Sequence, residues 1–453
     1  MISPLPVPLL SPNTNEVPLR SRRRSGLFLS LVALVVLVGT AEAIKIATVA
    51  ALAKSTEISQ VRKGLAWDPN NPELHYRLSL LYGYSFGQLS LAEWVREARR
   101  ATDLSPYKFA YWLNLASACE SIGDSACAEQ ALQRALALSP MKPLVWWTAG
   151  NYFLRTDRPE AALQYFKHLL ELSPDYAGPT FRLGLRAWAD PKVIFENVLA
   201  GGKDPRLALA FADFMSANND FETAHQAWTQ VASRGSPFPF VSIQPYLERL
   251  LSRGRYQEAW GVWQDLERMQ IIKTPSGAEE GNLVFNGGFE QPPLQAGFDW
   301  RSPPAPYVSV DFADPSAYQG AHCLRVDFTV GQNAEFEPVY QVLPVAPNRA
   351  YMLMAYVRTK DITSDSGPRL RVLDPACPSC LNASTETMVG TTPWHLVTLK
   401  FSAGIQTQAL RLSVWRPRSR TFPMEITGSF WLDGVSIRAL GLVGKESGFM
   451  KTH

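Results

Sequence analysis

Few side chains in this sequence are grouped as catalysis would require. The densest reactive pair is Cys377-Pro378-Ser379-Cys380. A zinc site would need two further ligands at suitable spacing, and none lies nearby. A redox tetrad of this kind usually opens a helix, whose N-terminus lowers the thiol pKa, whereas this one falls between expected strands. A local disulfide and two free thiols both remain as readings. Cys119 and Cys127 lie in a helical stretch and Cys323 in an expected strand. The six His are scattered. Nucleophile elbows, phosphate loops, zinc-binding His-Glu-x-x-His and dinucleotide glycines are absent. Gly441 to Lys445 lacks both the phosphate-loop spacing and a Ser/Thr after the Lys. No catalytic residue is assigned and a non-enzyme is expected. Carboxylates paired only by the fold of the sandwich are not visible at this level.

The elements that carry these residues come in blocks. A chain of 453 residues exceeds what one core usually organises. With 46% apolar and 19% charged residues it has an ordinary globular composition, and its net charge of +3 is too small to argue for nucleic acid. Residues 1–25 read as a disordered, basic cytoplasmic tail ending in Arg20, Arg22, Arg23 and Arg24, and Gly26 to Ala41 then carries no charge. A positive flank before an apolar core targets a membrane and puts the rest of the chain outside the cytoplasm. Ala41-Glu42-Ala43 fits the cleavage site of a signal peptide ending near 43. Alternatively residues 26–53 stay as a transmembrane anchor, with Glu42 and Lys45 paired at i,i+3. The retained anchor is the reading adopted, in a bacterial inner membrane, single-pass, with the bulk of the chain periplasmic.

Further on, Leu-Ser-Pro recurs at Leu104-Ser105-Pro106, Leu138-Ser139-Pro140 and Leu172-Ser173-Pro174, with prolines 34 residues apart. Trp67-Asp68-Pro69 precedes the first by 37, consistent with a three-residue insertion near Tyr84-Ser85-Phe86. Apolar residues at i, i+3, i+4 and i+7 predict two amphipathic helices per unit. Small residues Ala128, Gly150 and Ala162 let them approach, and Pro stops the second helix. Trp112, Leu115, Ala128, Ala135 and Pro140, then Trp146, Gly150, Phe153, Ala162, Phe166 and Pro174, stand at tetratricopeptide consensus positions. Residues 54–270 therefore resemble a tetratricopeptide superhelix of about six units. The fourth is weak, its second helix being interrupted by Asp190-Pro191. Two more return with Phe211, Ala224 and Trp228, and with Tyr246, Gly254, Ala259 and Trp263. This reading makes the tryptophans packing residues. The resemblance implies a groove that binds a protein or peptide.

Residues 271–281 read as a linker, 282–440 as an antiparallel β-sandwich of short alternating strands, and 441–453 as a tail. The opening Asn282-Leu283-Val284-Phe285-Asn286-Gly287-Gly288-Phe289-Glu290 resembles that of carbohydrate-binding modules with the galactose-binding-like jelly roll. Trp300, the run Gln319 to Val326, Tyr340-Gln341, Trp394-His395-Leu396-Val397 and the closing Phe430 to Ile437 come in that family's order. The resemblance implies a structural calcium held by Glu290 and Asp433, the alternative being that both acids cap turns. It also implies sugar stacking on exposed aromatics, for which Tyr307, Phe336, Tyr340 and Trp415 with Arg416 and Arg418 are candidates. The matched Trp300, Trp394 and Trp431 read as core. The fold class expected is a membrane helix, an α-helical superhelix and a jelly-roll sandwich. The function expected is an anchored cell-envelope scaffold in surface-polysaccharide synthesis or export, with a sandwich serving only protein assembly as the alternative.

Overall fold

The computed structural model describes residues 22–84, 88–188, 190–199, 202, 204–275, 281–329, 333–422 and 424–440. Arg20, the insertion at 85–87, residues 276–280 of the expected linker and the tail 441–453 lie outside them. The chain divides into two compact units, Met1–Tyr165 and Phe166–His453. The boundary falls inside a repeat helix rather than near residue 270.

In the first unit, α1 (Arg22–Leu52) is a single helix of 31 residues. Its stretch Gly26–Leu52 is long and apolar enough to cross a membrane. At about 1.5 Å per residue it outruns a hydrocarbon core of about 30 Å, which leaves its last turns free to pack. There Val49 joins Val61, Leu74, Leu78 and Tyr82 in a small core. After a short turn at 53–57 the apolar helix thus packs on the first helices, α2 (Ile58–Trp67) and α3 (Pro72–Gly83). The Glu42–Lys45 pair expected from the sequence forms at 4.0 Å.

Antiparallel hairpins come next: α3 with α4 (Gln88–Leu104), α5 (Phe109–Ser121) with α6 (Ser125–Leu138), and α7 (Pro143–Arg155) with α8 (Pro159–Leu172). Asn71 caps α3 by accepting from the Glu73 and Leu74 amides, and Asp124 caps α6 through Cys127 N. Ala128, Ala135, Ala149 and Gly150 are buried at the contacts, as small residues must be for backbones to approach. The repeated tryptophans are only partly buried. Trp112 Nε1 donates to the Pro106 carbonyl and Trp146 Nε1 to that of Pro140. Each therefore caps the turn before its own helix, a use of the motif that spacing alone did not reveal. Cys119 and Cys127 form a disulfide across the α5–α6 turn.

The first hairpin holds a titratable pair. His75 Nδ1 lies 2.6 Å from Glu97 Oε2 and Nε2 lies 2.9 Å from the Pro69 carbonyl. Only the doubly protonated ring donates to both acceptors. Burial opposes the charge, but the bonds to Glu97 and Pro69 outweigh it and hold the pKa above its ordinary 6.5. For a raised pKa the stabilisation is complete below pH 6.5 and fades as pH rises through the folded value. Melts of the full chain at pH 6 and pH 8 should show the first unit less stable at pH 8. That difference should vanish in His75→Gln, and a melt indifferent to pH in the wild type would refute the charged pair.

The second unit has helix pairs of its own. α9 (Ala177–Ala187) faces a short α10 (Lys192–Ile194) that opens into a π turn, Phe195–Leu199. Gly184 makes this pairing fit, since a Cβ there would stand 1.8 Å from Ile194 Cδ1. Next come α11 (Pro205–Ala217) with α12 (Phe221–Arg234), then α13 (Gln244–Ser252) with α14 (Tyr256–Arg268). The aromatics fill this stack: Phe181 meets Phe211 edge-on at 5.0 Å, and Trp228 and Trp263 are fully buried.

The sandwich pairs a five-stranded sheet, β1-β2-β9-β4-β7, with a four-stranded one, β3-β8-β5-β6. The strands are β1 (Val308–Asp314), β2 (Cys323–Phe328), β3 (Phe336–Pro344), β4 (Ala350–Ile362), β5 (Arg369–Leu373), β6 (Asn382–Ser384), β7 (Gly390–Ser402), β8 (Ala409–Arg416) and β9 (Gly428–Ala439), all antiparallel. Pro338 stands inside β3. The structure tolerates this proline because β3 is an edge strand whose register shifts between Phe336 and Val339. Trp300 lies in the core as expected. Trp431 is also buried, at 4% exposure, but on the other side of the sheet from Phe430 and Leu432, under the Arg325 and Arg358 guanidiniums, 5.3 and 4.6 Å from its ring.

Ile272 of the expected linker is buried, and the sandwich docks directly on α13 and α14. Trp260 and Trp263 meet Phe298 edge-on at 5.1 and 5.8 Å, and Trp263 meets Phe285 at 5.2 Å. Arg301 clamps Glu248 through both Nη atoms at 2.7 and 2.8 Å, and the same carboxylate accepts from Gly297 N. A bidentate ion pair beside an aromatic cluster makes this a fixed junction.

Candidate functional site

The sugar candidates do not come together. Phe336 is 5% exposed within the sandwich core, and Arg416 is fully buried. Both expectations of a ligand-facing role are corrected, for different reasons. Phe336 begins an edge strand but points to the core side. Arg416 closes β8 and donates to the Ser366, Ala334 and Met424 carbonyls, to Asn333 Oδ1 and to Ser364 Oγ. Desolvation lowers its pKa, and the surrounding carbonyls hold it as a pin for three loops. Tyr307 is exposed, but it precedes β1, on the other sheet. Arg418 is exposed on the loop after β8.

Tyr340 and Trp415 do share a face. Tyr340 pairs with Ser413, two residues from Trp415 on β8. The rings are covered, however. Arg411 lies 3.8 Å from the Tyr340 centroid, and Arg371 lies 4.4 Å from that of Trp415 with Arg369 at 5.8 Å. Glu337 binds Arg371 at 2.7 Å and Arg411 at 2.6 Å, and Trp415 Nε1 donates to Glu335. The sequence reading did not identify this arginine–glutamate lattice. The alternation Arg369-Leu370-Arg371 in β5 was its only signal.

Glu290 and Asp433 line one cavity of about 380 Å³ with Asn282, Asn286, Gln319 and Gly320. Asp433 is buried, and desolvation together with the nearby Glu290 charge raises its pKa despite three backbone bonds. Its Oδ2 accepts from the Tyr318 and Gln319 amides, and its Oδ1 from Gly434 N. Glu290 Oε1 accepts from the Ala321 and His322 amides, and a Cβ on Gly320 would stand 2.0 Å from that oxygen. Whatever else they do, the two acids fasten the 318–322 loop from both sides. Their convergence as like charges in one polar cavity is compatible with a hard cation.

Cys377 and Cys380 form a disulfide. Cys323 stays free and buried, its thiol pushed up to about 12 chiefly by burial.

Two repeats, residues 109–140 and 144–176, match the tetratricopeptide-repeat family model. No curated protein sequence matches the chain. Among solved structures, one named "CBM4 structure and function" is similar at 12% identity over 35% of this chain and 99% of that one, with a TM-score of 0.26. "Crystal structure of MamA" is similar at 16% identity over 44% and 90%, TM-score 0.26. "Family 16 Carbohydrate Binding Module-2" is similar at 18% identity over 34% and 99%, TM-score 0.24. The chain contains two matched tetratricopeptide repeats among its helix hairpins and a C-terminal two-sheet sandwich.

Proposed function

We propose that this chain is a non-catalytic, membrane-anchored scaffold of a bacterial cell envelope. It docks a protein partner on its repeats and holds a polysaccharide on its sandwich, in surface-polysaccharide synthesis or export. The carrying observation is the co-occurrence on one chain of matched tetratricopeptide repeats and an apolar helix whose last turns share a small core with α2 and α3. Such arrays bury their faces by stacking and present a groove suited to peptides. An extracytoplasmic position is supported by the Arg20–Arg24 flank and by two disulfides, which persist in oxidising compartments. A reporter active only in the periplasm, fused after His453, is expected to be active. Activity of a cytoplasm-only reporter instead would overturn the orientation and the envelope role with it.

A second reading has its own observation. The arginine lattice over Tyr340 and Trp415 removes two of the expected stacking faces, which favours a sandwich that serves protein assembly alone. Retardation of the full chain in gels carrying soluble polysaccharides separates the two readings.

We also propose a structural calcium at Glu290 and Asp433, where it would offset the mutual repulsion of the two acids. An ion bound to the folded state alone stabilises it by about 2.7 kcal/mol at a hundredfold excess over its Kd. The melting temperature of the full chain should rise with calcium over chelator. Glu290→Gln or Asp433→Asn should blunt that rise, and equal wild-type midpoints would leave the acids as loop fasteners.

A further inference from the structure

The aromatic faces left open lie on the opposite sheet from those the sequence pointed to. On β7, Val397, Leu399 and Phe401 pack against the core, so the alternate residues Trp394 and Leu396 face outward. Leu396 pairs with Tyr356 on β4, whose neighbours Ala355 and Val357 are core residues, so Tyr356 also faces out. Tyr318 folds over from the loop before β2 and stacks on Tyr356, with centroids 3.7 Å apart and planes 17° apart. Trp394 stands 6.0 Å from Tyr318 at 56°. Tyr318 is 42% exposed and Leu396 49%. Among the described residues no cation covers Tyr318, Tyr356 or Trp394, in contrast to Tyr340, Trp415 and Trp431.

We infer that Trp394 and Tyr318, the latter backed by Tyr356, form a carbohydrate-binding platform on the outer face of the five-stranded sheet, taking a pyranose ring of a polysaccharide over the outward faces of the Tyr318 and Trp394 rings. This rests on the polysaccharide reading above and moves the binding surface to a sheet that reading had not used. A sugar ring presents axial C–H groups to an aromatic face and hydroxyls at its rim. The apolar floor here is flanked by polar groups able to meet them, with Arg358 two residues beyond Tyr356 and Thr398 two beyond Leu396.

The loop that carries Tyr318 is positioned in advance. Its Tyr318 and Gln319 amides are held by the buried Asp433 carboxylate and its Ala321 and His322 amides by Glu290. The tyrosine backbone is therefore in place before a ligand arrives, which lowers the ordering cost of binding. Asp433 and Glu290 act here as positioning residues.

The test is affinity electrophoresis of the detergent-solubilised full chain through gels carrying mixed-linkage β-glucan, xylan or alginate. At least one polysaccharide should retard the wild type. Tyr318→Ala and Trp394→Ala should each weaken that retardation about tenfold or more with melting temperature kept, while Trp415→Ala leaves it unchanged. Bound polysaccharide should also shield Trp394 from oxidation by N-bromosuccinimide, as judged by peptide mass. Retardation that survives both platform variants, or is lost in Trp415→Ala alone, overturns the platform but keeps polysaccharide binding. No retardation by any of the three polymers overturns the polysaccharide reading itself, and with it the platform.

Discussion

Gly297→Val is expected to loosen the junction between α13–α14 and the sandwich. Gly297 has φ of +60°, and a Cβ there would stand 2.2 Å from Trp263 Cζ3 and 2.9 Å from Leu247 Cδ2. The indole has little room to retreat, because the edges of Phe240, Phe285 and Phe298 surround it. Left-handed backbone costs a side-chain-bearing residue about 1–2 kcal/mol, and overpacking adds about 1–3. In a unit of this size the melting temperature should fall by on the order of 10 °C. Gly235→Val is the control. It has the same left-handed backbone, at φ of +61°, but nothing within 4 Å of the added carbon. The difference between the two variants therefore measures the junction. Equal melts would mean that the sandwich is not seated on Trp263.

Arg416→Met should cost more than any exposed arginine in the chain. The substitution roughly keeps the volume but withdraws the guanidinium from the Ser366, Ala334 and Met424 carbonyls and from two side-chain oxygens. Each buried acceptor left without a donor costs about 1–3 kcal/mol, so a loss of about 3 kcal/mol or more is expected. It should come with faster proteolysis in the loop between β8 and β9, where Ser419 and Thr421 also lean on Asp365. Calorimetry of the full chain beside Arg418→Met, whose side chain is exposed, is the comparison. A melt matching that of Arg418→Met would restore Arg416 as a candidate surface residue.

Local grammar made the helices legible. The proline spacing, the caps at Asn71 and Asp124 and the small residues at Ala128 and Gly150 act within one or two turns, so their meaning survives outside the fold. The irregular partner of α9 was also readable, because Asp190-Pro191 breaks a helix wherever it stands. The strands were legible where they alternate. Edge position, which excuses Pro338 in β3, is a property of the sheet rather than of the strand.

The candidate sites divide the same way. The resemblance to carbohydrate-binding modules brought Glu290 and Asp433 forward, and both line one cavity. Aromatic identity alone did not show which rings are open. Arg371 and Trp415 lie on different strands, as do Tyr318 and Tyr356, and whether a guanidinium or a second ring covers a face depends on register between strands. By itself the sequence determined the order of the elements: an apolar helix, repeated hairpins and alternating strands, each written in spacings of a few residues. Only the tertiary structure decided that Arg416 is a buried pin, that the expected linker region leads into a docked junction at Trp263, and which rings lie under a guanidinium. Those outcomes depend on contacts between residues tens to more than a hundred positions apart, where a small change in register replaces one neighbour with another.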